Sequence, residues 1–336
     1  MKEEKSNEKA YSLYFYRYLC SVLVVIIHVN LFSDVNFTLN YIFVQILTRI
    51  AVPSFFLTSG YFLFEKLKNK KVKIWKILKK YFIVYSFVSI PYIIISIFIN
   101  KISFLEILTN FFIKGSFYHL WYFPALIISI LTIYLFYKFK LLKFIVYFSL
   151  FLYVFGCMGC SYFNIFAEVP LIKEVITWEN FYIIRRIFLM GLPFVSLGFF
   201  INNNIERIKN LKNSKLLISL ILIIILFILE IAYVYILKLQ INIFVTIFLY
   251  PLVAIIFSII IKIENQNKKF NTLCLNLKES ADTTYYWHPI ILIVLNDVFY
   301  MIFNFQIPTI ISFITTISLC LLISYIVQKS KIKNTK

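Results

Sequence analysis

The sequence predicts an all-α, polytopic integral membrane bundle of about ten transmembrane helices with both termini cytoplasmic, and three observations carry that expectation. Hydrophobic residues make up 61% of the 336 positions and charged residues only 15%, against about 25% charged in soluble domains, so a bilayer is the fitting solvent. Apolar runs of roughly the 20 residues needed to cross a hydrocarbon core recur along the whole chain. The short polar pieces between them alternate between lysine-rich and lysine-poor, the pattern of the positive-inside rule.

Ten runs are readable, near 12 to 32, 41 to 64, 81 to 99, 120 to 137, 144 to 160, 182 to 201, 216 to 237, 241 to 261, 281 to 303 and 307 to 328. The first follows MKEEKSNEKAY, which has the look of a signal-peptide n-region. The run after it is about 20 residues long and has no small-residue cleavage site, so it reads as a retained span. The second contains VPSFFLTSGYF, where Pro53, Ser59 and Gly60 fit either close helix packing or a break lining a cavity. The third is entered through KLKNKKVKIWKILKK (66 to 80), a basic stretch suited to anionic lipid or to a phosphate-rich cytoplasmic cofactor. The connection from 100 to 119 sets apolar residues at helical spacing around Glu106 and Lys114, as in a short interfacial helix. The fourth span opens at YHLWYFP. The fifth ends on Cys157 and Cys160, a lone CxxC without a second pair or a nearby histidine, which reads as packing. The sixth begins at Arg185 and Arg186, and the ninth carries TYYWHPI. The longest polar pieces, 66 to 80, 202 to 215 and 262 to 280, fall short of the roughly 50 residues an independent domain needs. One membrane domain over 1 to 336 is therefore expected, with short cytoplasmic tails at 1 to 11 and 329 to 336.

A net charge of +19 invites a nucleic-acid reading, which the placement of the charge opposes. With the N-terminus inside, the inner pieces hold 26 of the 34 Lys and Arg, and the outer pieces hold only Lys101, Lys114, Lys173 and Lys238. The remaining four are Arg17, Arg49, Arg185 and Arg186, within or at the ends of spans. Charge here reports topology, and no nucleic-acid partner is expected.

Ionisable groups within spans are costly and usually face the bundle interior, which makes each a candidate for function. All three histidines qualify: His28 in the first span, His119 at the start of the fourth and His288 in the ninth. Each also has a plain structural reading, as part of an aromatic belt or as a partner of a backbone carbonyl. In RYLCSVLVVIIH, Arg17 and His28 are eleven residues apart, which at about 100° per residue closes three turns to within about 20°. They share one helix face, about 16 Å apart along the axis, too far for a hydrogen bond. Arg17 falls near the inner surface, where a guanidinium suits a phosphate or carboxylate, and His28 falls past the midplane, where a neutral imidazole can take a proton from a hydroxyl. Arg49, Arg185 and Arg186 fall toward the outer half, placed either to orient an anionic acceptor or to pair with Glu168, Glu174 or Glu179.

The ordered set of Arg17 and His28, VPSFFLTSGYFLF, HLWYFPALI, RRIFLMGLPFVSLGFFI and TYYWHPI resembles the membrane acyltransferase family 3, bacterial O-acyltransferases of cell-surface polysaccharides and peptidoglycan, from about 11 to 328. The HLWYFP and GLPFVSLG stretches also resemble the membrane domain of membrane-bound serine racemases. The resemblance implies transfer of an acyl group, usually acetyl, from cytoplasmic acyl-CoA to a hydroxyl of a cell-surface glycan or a lipid-linked sugar, in the plasma membrane of a bacterium. It implies Arg17 and His28 as the catalytic pair, with His28 the general base or transient acyl carrier. It further implies contacts of the cofactor with Arg17 and with Lys76, Lys79 and Lys80, which stand where the family tends to have arginines. Substrate contacts fall to Arg49, His119, Arg185, Arg186 and His288, and no metal is expected. Neither a racemase domain after residue 336 nor an extracellular esterase domain is expected. The alternative is a transporter or flippase of a small solute or glycan, using the same polar path without covalent chemistry.

Overall fold

A computed structural model of the chain describes residues 11–68, 73–239, 245–263 and 267–333. The amino-terminal tail before residue 11, the centre of the basic stretch at 69–72, and the last three residues of the carboxy-terminal tail lie outside them. Among the described residues all regular secondary structure is helical, with no strand. Among the described residues, seven helices are long and apolar enough to cross a membrane, and three shorter apolar helices accompany them. The chain is a multi-pass membrane protein. It forms two compact units, one of residues 1–55 and 255–336 and the other of residues 56–254.

In the first unit, α1 (Tyr11–Val29) ends where Asn30 takes a left-handed conformation (φ 57°). Asn40 Nδ2 donates to the carbonyls of Asn30 and Leu31 at 3.0 Å each, so carbonyls at the helix end are satisfied by a side chain. α2 (Phe37–Lys68), which belongs to this unit as far as Phe55, opens on Asn36, whose side chain accepts from the Leu39 amide. It then passes through a π-helical turn at Ile42–Ile46 and a 3-10 turn at Leu47–Ile50 before regular α-helix resumes at Ala51. Pro53 explains the restart: it has no N–H and is confined to the first turn of the resumed helix. α9 (Lys268–Phe303) and α10 (Thr309–Lys333) complete this unit. Contacts of α1 with α9 rise together, Lys278 over Tyr14 at 5.0 Å and then Asp282 to Arg17, so the two helices run parallel. α10 returns antiparallel to α9, with Ser280 against Ser324 at 3.0 Å and Gln328 Nε2 on the Asn276 carbonyl.

α9 begins thirteen residues before the expected span at 281. Its N-terminus is capped by Asn267, whose side chain accepts from the Lys269 and Phe270 amides, and neither Gly nor Pro interrupts the chain before Pro289. Residues 268–280 of the expected polar piece are therefore helix, and 264–266 lie outside the described residues.

The second unit contains α3 (Ile74–Asn100), α4 (Tyr122–Lys138), α5 (Leu142–Met158), α6 (Phe181–Asn203), α7 (Asn213–Ile236) and α8 (Leu249–Ile260). α6 repeats the device of α2: a π-helical stretch at Arg185–Gly191 gives way to α-helix with Pro193 in its first turn. Downstream of these breaks the packing is close. A Cβ on Gly60 would meet the Val195 carbonyl oxygen at 2.0 Å, and one on Gly198 would meet that of Leu57 at 1.9 Å. Of the two readings of VPSFFLTSGYF, close packing holds at Gly60, and the change of helix type lies before Pro53. The connection after α3 carries a two-turn helix, Phe104–Thr109, with a capping box between Ser103 and Glu106. The Ser103 amide and hydroxyl hold the Glu106 carboxyl below its usual range.

Of the expected span 241 to 261, residues 241–244 lie outside the described residues, and α8 begins at Leu249. Residues 245–248 before it are not helical, and their backbone is satisfied by side chains, as an apolar setting demands. Glu230, 6% exposed on α7, accepts from the Ile247 amide at 2.6 Å, the Phe248 amide at 2.9 Å and the Tyr162 hydroxyl at 2.6 Å. Tyr153 and Ser161 donate to the carbonyls of Thr246 and Val245 at 2.6 Å each.

Candidate functional site

Four of the candidate residues lie in the first unit: Arg17, His28, Arg49 and His288. Arg17 Nη2 meets Asp282 Oδ1 at 2.8 Å, both side chains partly exposed, so the group near this end of α1 engages a carboxylate of α9. Toward the other end of α1, His28 stacks on His288, ring centroids 5.2 Å apart and planes 26° apart. α9 thus holds a partner for each member of the pair, six residues apart or about 9 Å along its axis.

His288 is fully buried, and the local sequence fixes its ring. Pro289 has no N–H, so the Tyr285 carbonyl four residues earlier receives no helical hydrogen bond from that position. His288 Nδ1 lies 3.1 Å from that carbonyl and 2.9 Å from the carbonyl of Thr284. Carbonyl oxygens only accept, so Nδ1 carries the proton and Nε2 has the acceptor lone pair. The dipeptide His-Pro thus sets a tautomer through backbone chemistry alone. His28, on the opposing helix, is half-buried and faces a cavity of about 330 Å³. That cavity is lined by Ser33 beyond the end of α1, Asn296, Asp297 and Tyr300 of α9, and Gln306, Thr309 and Ser312 at the α10 end. Leu292, Asn296 and Tyr300, at four-residue spacing, supply one ridge of its wall. The Thr309 amide donates to Asp34 Oδ2 at 2.9 Å and the Thr309 hydroxyl to Oδ1, pinning the loop after α1 to the first residue of α10. These bonds hold the exposed Asp34 carboxyl below its usual range.

Arg49 is buried in the 3-10 turn of α2, with Nη2 donating to Gln45 Oε1 one turn earlier.

The remaining candidates belong to the second unit. Lys76, Lys79 and Lys80 are exposed on the first two turns of α3, with Ile74, Ile77 and Leu78 buried on the other face. His119 is buried among aromatic rings, edge-on to Tyr92 at 4.9 Å and to Phe117 at 6.1 Å. Arg185 Nη1 donates to Cys160 Sγ at 3.3 Å. Arg186 lies over the rings of Trp121 (5.2 Å) and Tyr182 (5.1 Å) and donates to the Lys114 carbonyl at 3.3 Å. Cys157 and Cys160 are buried free thiols. Arg49, Arg185 and Arg186 all occupy the π or 3-10 stretches of α2 and α6.

Sequence reasoning missed Asp282, Asn296, Asp297 and Glu230. Three are acids within the apolar helices, and the rule that flagged the histidines would have found them.

Among known proteins, a family described as an acyltransferase domain matches residues 11–328. Two amino-acid racemases of Enterococcus faecalis are similar, one 32% identical over 181 residues (51% of this chain, 26% of the relative) and one 31% identical over 172 residues (50% and 24%). A serine/alanine racemase of Enterococcus gallinarum is 28% identical over 132 residues, 37% of this chain and 19% of the relative. The chain thus covers about a quarter or less of the length of these relatives. No solved structure matches. With the profile spanning nearly every described helix, including both members of the Arg17 and His28 pair, the chain belongs to the acyltransferase domain family, the membrane acyltransferase family 3.

Proposed function

We propose that this protein is an O-acyltransferase of the bacterial plasma membrane, moving an acyl group, acetyl in the simplest case, from cytoplasmic acyl-CoA to a hydroxyl of a cell-surface glycan or its lipid-linked precursor. The single observation that carries the reading is that one α9 helix engages both ends of the Arg17 and His28 pair in a chain of the acyltransferase family. The topology that accompanies it has ten spans and both termini in the cytoplasm, supported by seven long and three shorter apolar helices and by the lysine asymmetry. On that topology Arg17 faces the donor side and the cavity beside His28 faces the acceptor side.

The separation of about 16 Å between the two residues suits acyl-CoA, whose phosphates and thioester lie at opposite ends of a long arm. Arg17, with Lys76, Lys79 and Lys80 as further candidates, would hold phosphate, and a guanidinium presents a fork of donors for it. His28 would accept the proton of the acceptor hydroxyl as the oxygen forms an ester bond to the acyl carbon. The carbon–sulfur bond breaks, and coenzyme A leaves as a thiol with that proton. His288, stacked on His28, would keep its ring in place.

The test is transfer of labelled acetyl from acetyl-CoA into base-labile ester in envelope membranes, comparing the intact protein with His28→Ala at matched abundance. Label in the intact sample alone is expected. Equal label in both, or solute movement into vesicles with no need of acyl-CoA, would overturn the reading in favour of transport.

A further inference from the structure

The cavity beside His28 lies wholly within the first unit and is assigned to no ligand. We propose that it binds a neutral, hydroxyl-rich acceptor of about one sugar unit, with Asp297 rejecting anionic acceptors; this rests on the transferase reading and names the substrate class of the same site.

Size comes first. At about 330 Å³ the cavity is at the small end of the roughly 300–1,000 Å³ range of small-molecule sites, which suits one ring with its substituents and not a polymer segment. The chemistry of its wall comes second. Asn296 and Gln306 each offer a carbonyl oxygen and an NH₂ group, Asp297 is an acceptor alone, and the Tyr300 ring adds an apolar face. Among the described residues, Asn296, Asp297 and Gln306 are in no hydrogen bond or ion pair, so these groups are not consumed by the fold. Vicinal hydroxyls, which both donate and accept, are the partners such a set matches. Charge comes third. Among the described residues the lining contains no lysine or arginine, and Asp297 supplies a negative charge. A second carboxylate, Asp34, is hydrogen-bonded to the lining residue Thr309. An acceptor bearing a carboxylate would meet the charge of Asp297 with no cationic side chain in the described wall to offset it. Finally, the wall includes His28, so a hydroxyl bound in the cavity lies on the side of the imidazole that a general base needs.

The experiment measures binding of two probes of one shape, methyl glucoside and methyl glucuronoside, to the full chain in nanodiscs without acyl-CoA, by saturation-transfer NMR. Saturable binding of the glucoside is expected, with the glucuronoside weaker by about fivefold or more. Asp297→Asn should bring the two toward equal affinity, and Asn296→Leu should weaken both; each variant is compared at native thermal stability. Equal binding of the two probes by the intact protein, tighter binding of the glucuronoside, or no binding of either would overturn the proposal. So would indifference of the ratio to Asp297→Asn. Acetyl transfer measured on the same sample separates the two readings. Transfer that persists while neither probe binds sinks the sugar subsite alone, and absence of transfer with His28 intact sinks the transferase reading.

Discussion

Two buried histidines, His288 and His119, sit in comparable settings by sequence, each in an aromatic run at a helix of the membrane bundle. Their surroundings differ in kind. His288 is held by two backbone carbonyls, one of them left without a helical donor by Pro289, and it stacks on His28, which faces a cavity. His119 is ringed by Tyr92, Phe117 and Tyr118. The difference teaches that a histidine within a span reports burial. Chemistry requires a path from the ring to a space that a substrate can enter, and the His28 and His288 pair meets that requirement.

The sharpest way to break the comparison is to remove the imidazole at each place. His28→Ala is expected to lower acetyl transfer by about 10²–10⁴-fold at matched abundance, the scale of a lost general base. His119→Phe keeps a ring among rings and is expected to leave transfer within about twofold. A large loss in His119→Phe at normal abundance would erase the distinction between the two regions.

Pro289→Ala tests how the first region is held. Alanine restores an N–H at position 289, which competes with His288 Nδ1 for the Tyr285 carbonyl and loosens the ring. Stability should rise, by at most about 3 kcal/mol, while kcat falls several-fold with KM little changed. A variant that loses both stability and activity would show that the proline acts by shaping the helix, and not through the histidine. Gly198→Leu probes the second region by packing alone. The Leu57 carbonyl lies 1.9 Å from where a Cβ would stand, so the two backbones must separate, and membrane abundance should fall.

Much of this was legible in the sequence where one helix decides the answer. The alignment of Arg17 with His28 follows from 3.6 residues per turn and needs no neighbour. The freed Tyr285 carbonyl follows from His-Pro in a helix. The restart of α2 near Pro53 and that of α6 near Pro193 follow from the missing N–H, although the π turns themselves do not. The pairing of His28 with His288 and of Arg17 with Asp282 was illegible, because it depends on which helices become neighbours, and apolar surfaces of similar composition do not encode that. Glu230 shows a different failure. Its ionisable side chain in an apolar run was visible, but its purpose, supplying acceptors to the amides of Ile247 and Phe248, required knowing that the chain before α8 is not helical.

The smallest expected effect concerns the clamp that bounds the cavity. Asp34 is exposed, and its carboxyl lies below the usual range because the Thr309 hydroxyl and amide donate to its charged form. The sign follows from linkage: with the folded value depressed, the stabilisation is present above the unfolded value near 3.9 and is lost as pH falls through the folded value. Asp34→Asn removes the charge and one strong acceptor at any pH. Hydrogen exchange of the amides at 32–36 should therefore quicken modestly in Asp34→Asn at pH 7, and the two proteins should converge as the medium is taken below the carboxylate range. Because Ser33 and Thr309 both line the cavity, affinity for a bound acceptor should weaken by less than the loss from Asn296→Leu. Exchange that is unchanged at pH 7 would mean that the turn after α1 is fixed by Asn30, Asn40 and the left-handed residues themselves, leaving the ion-assisted bond to α10 without a mechanical role.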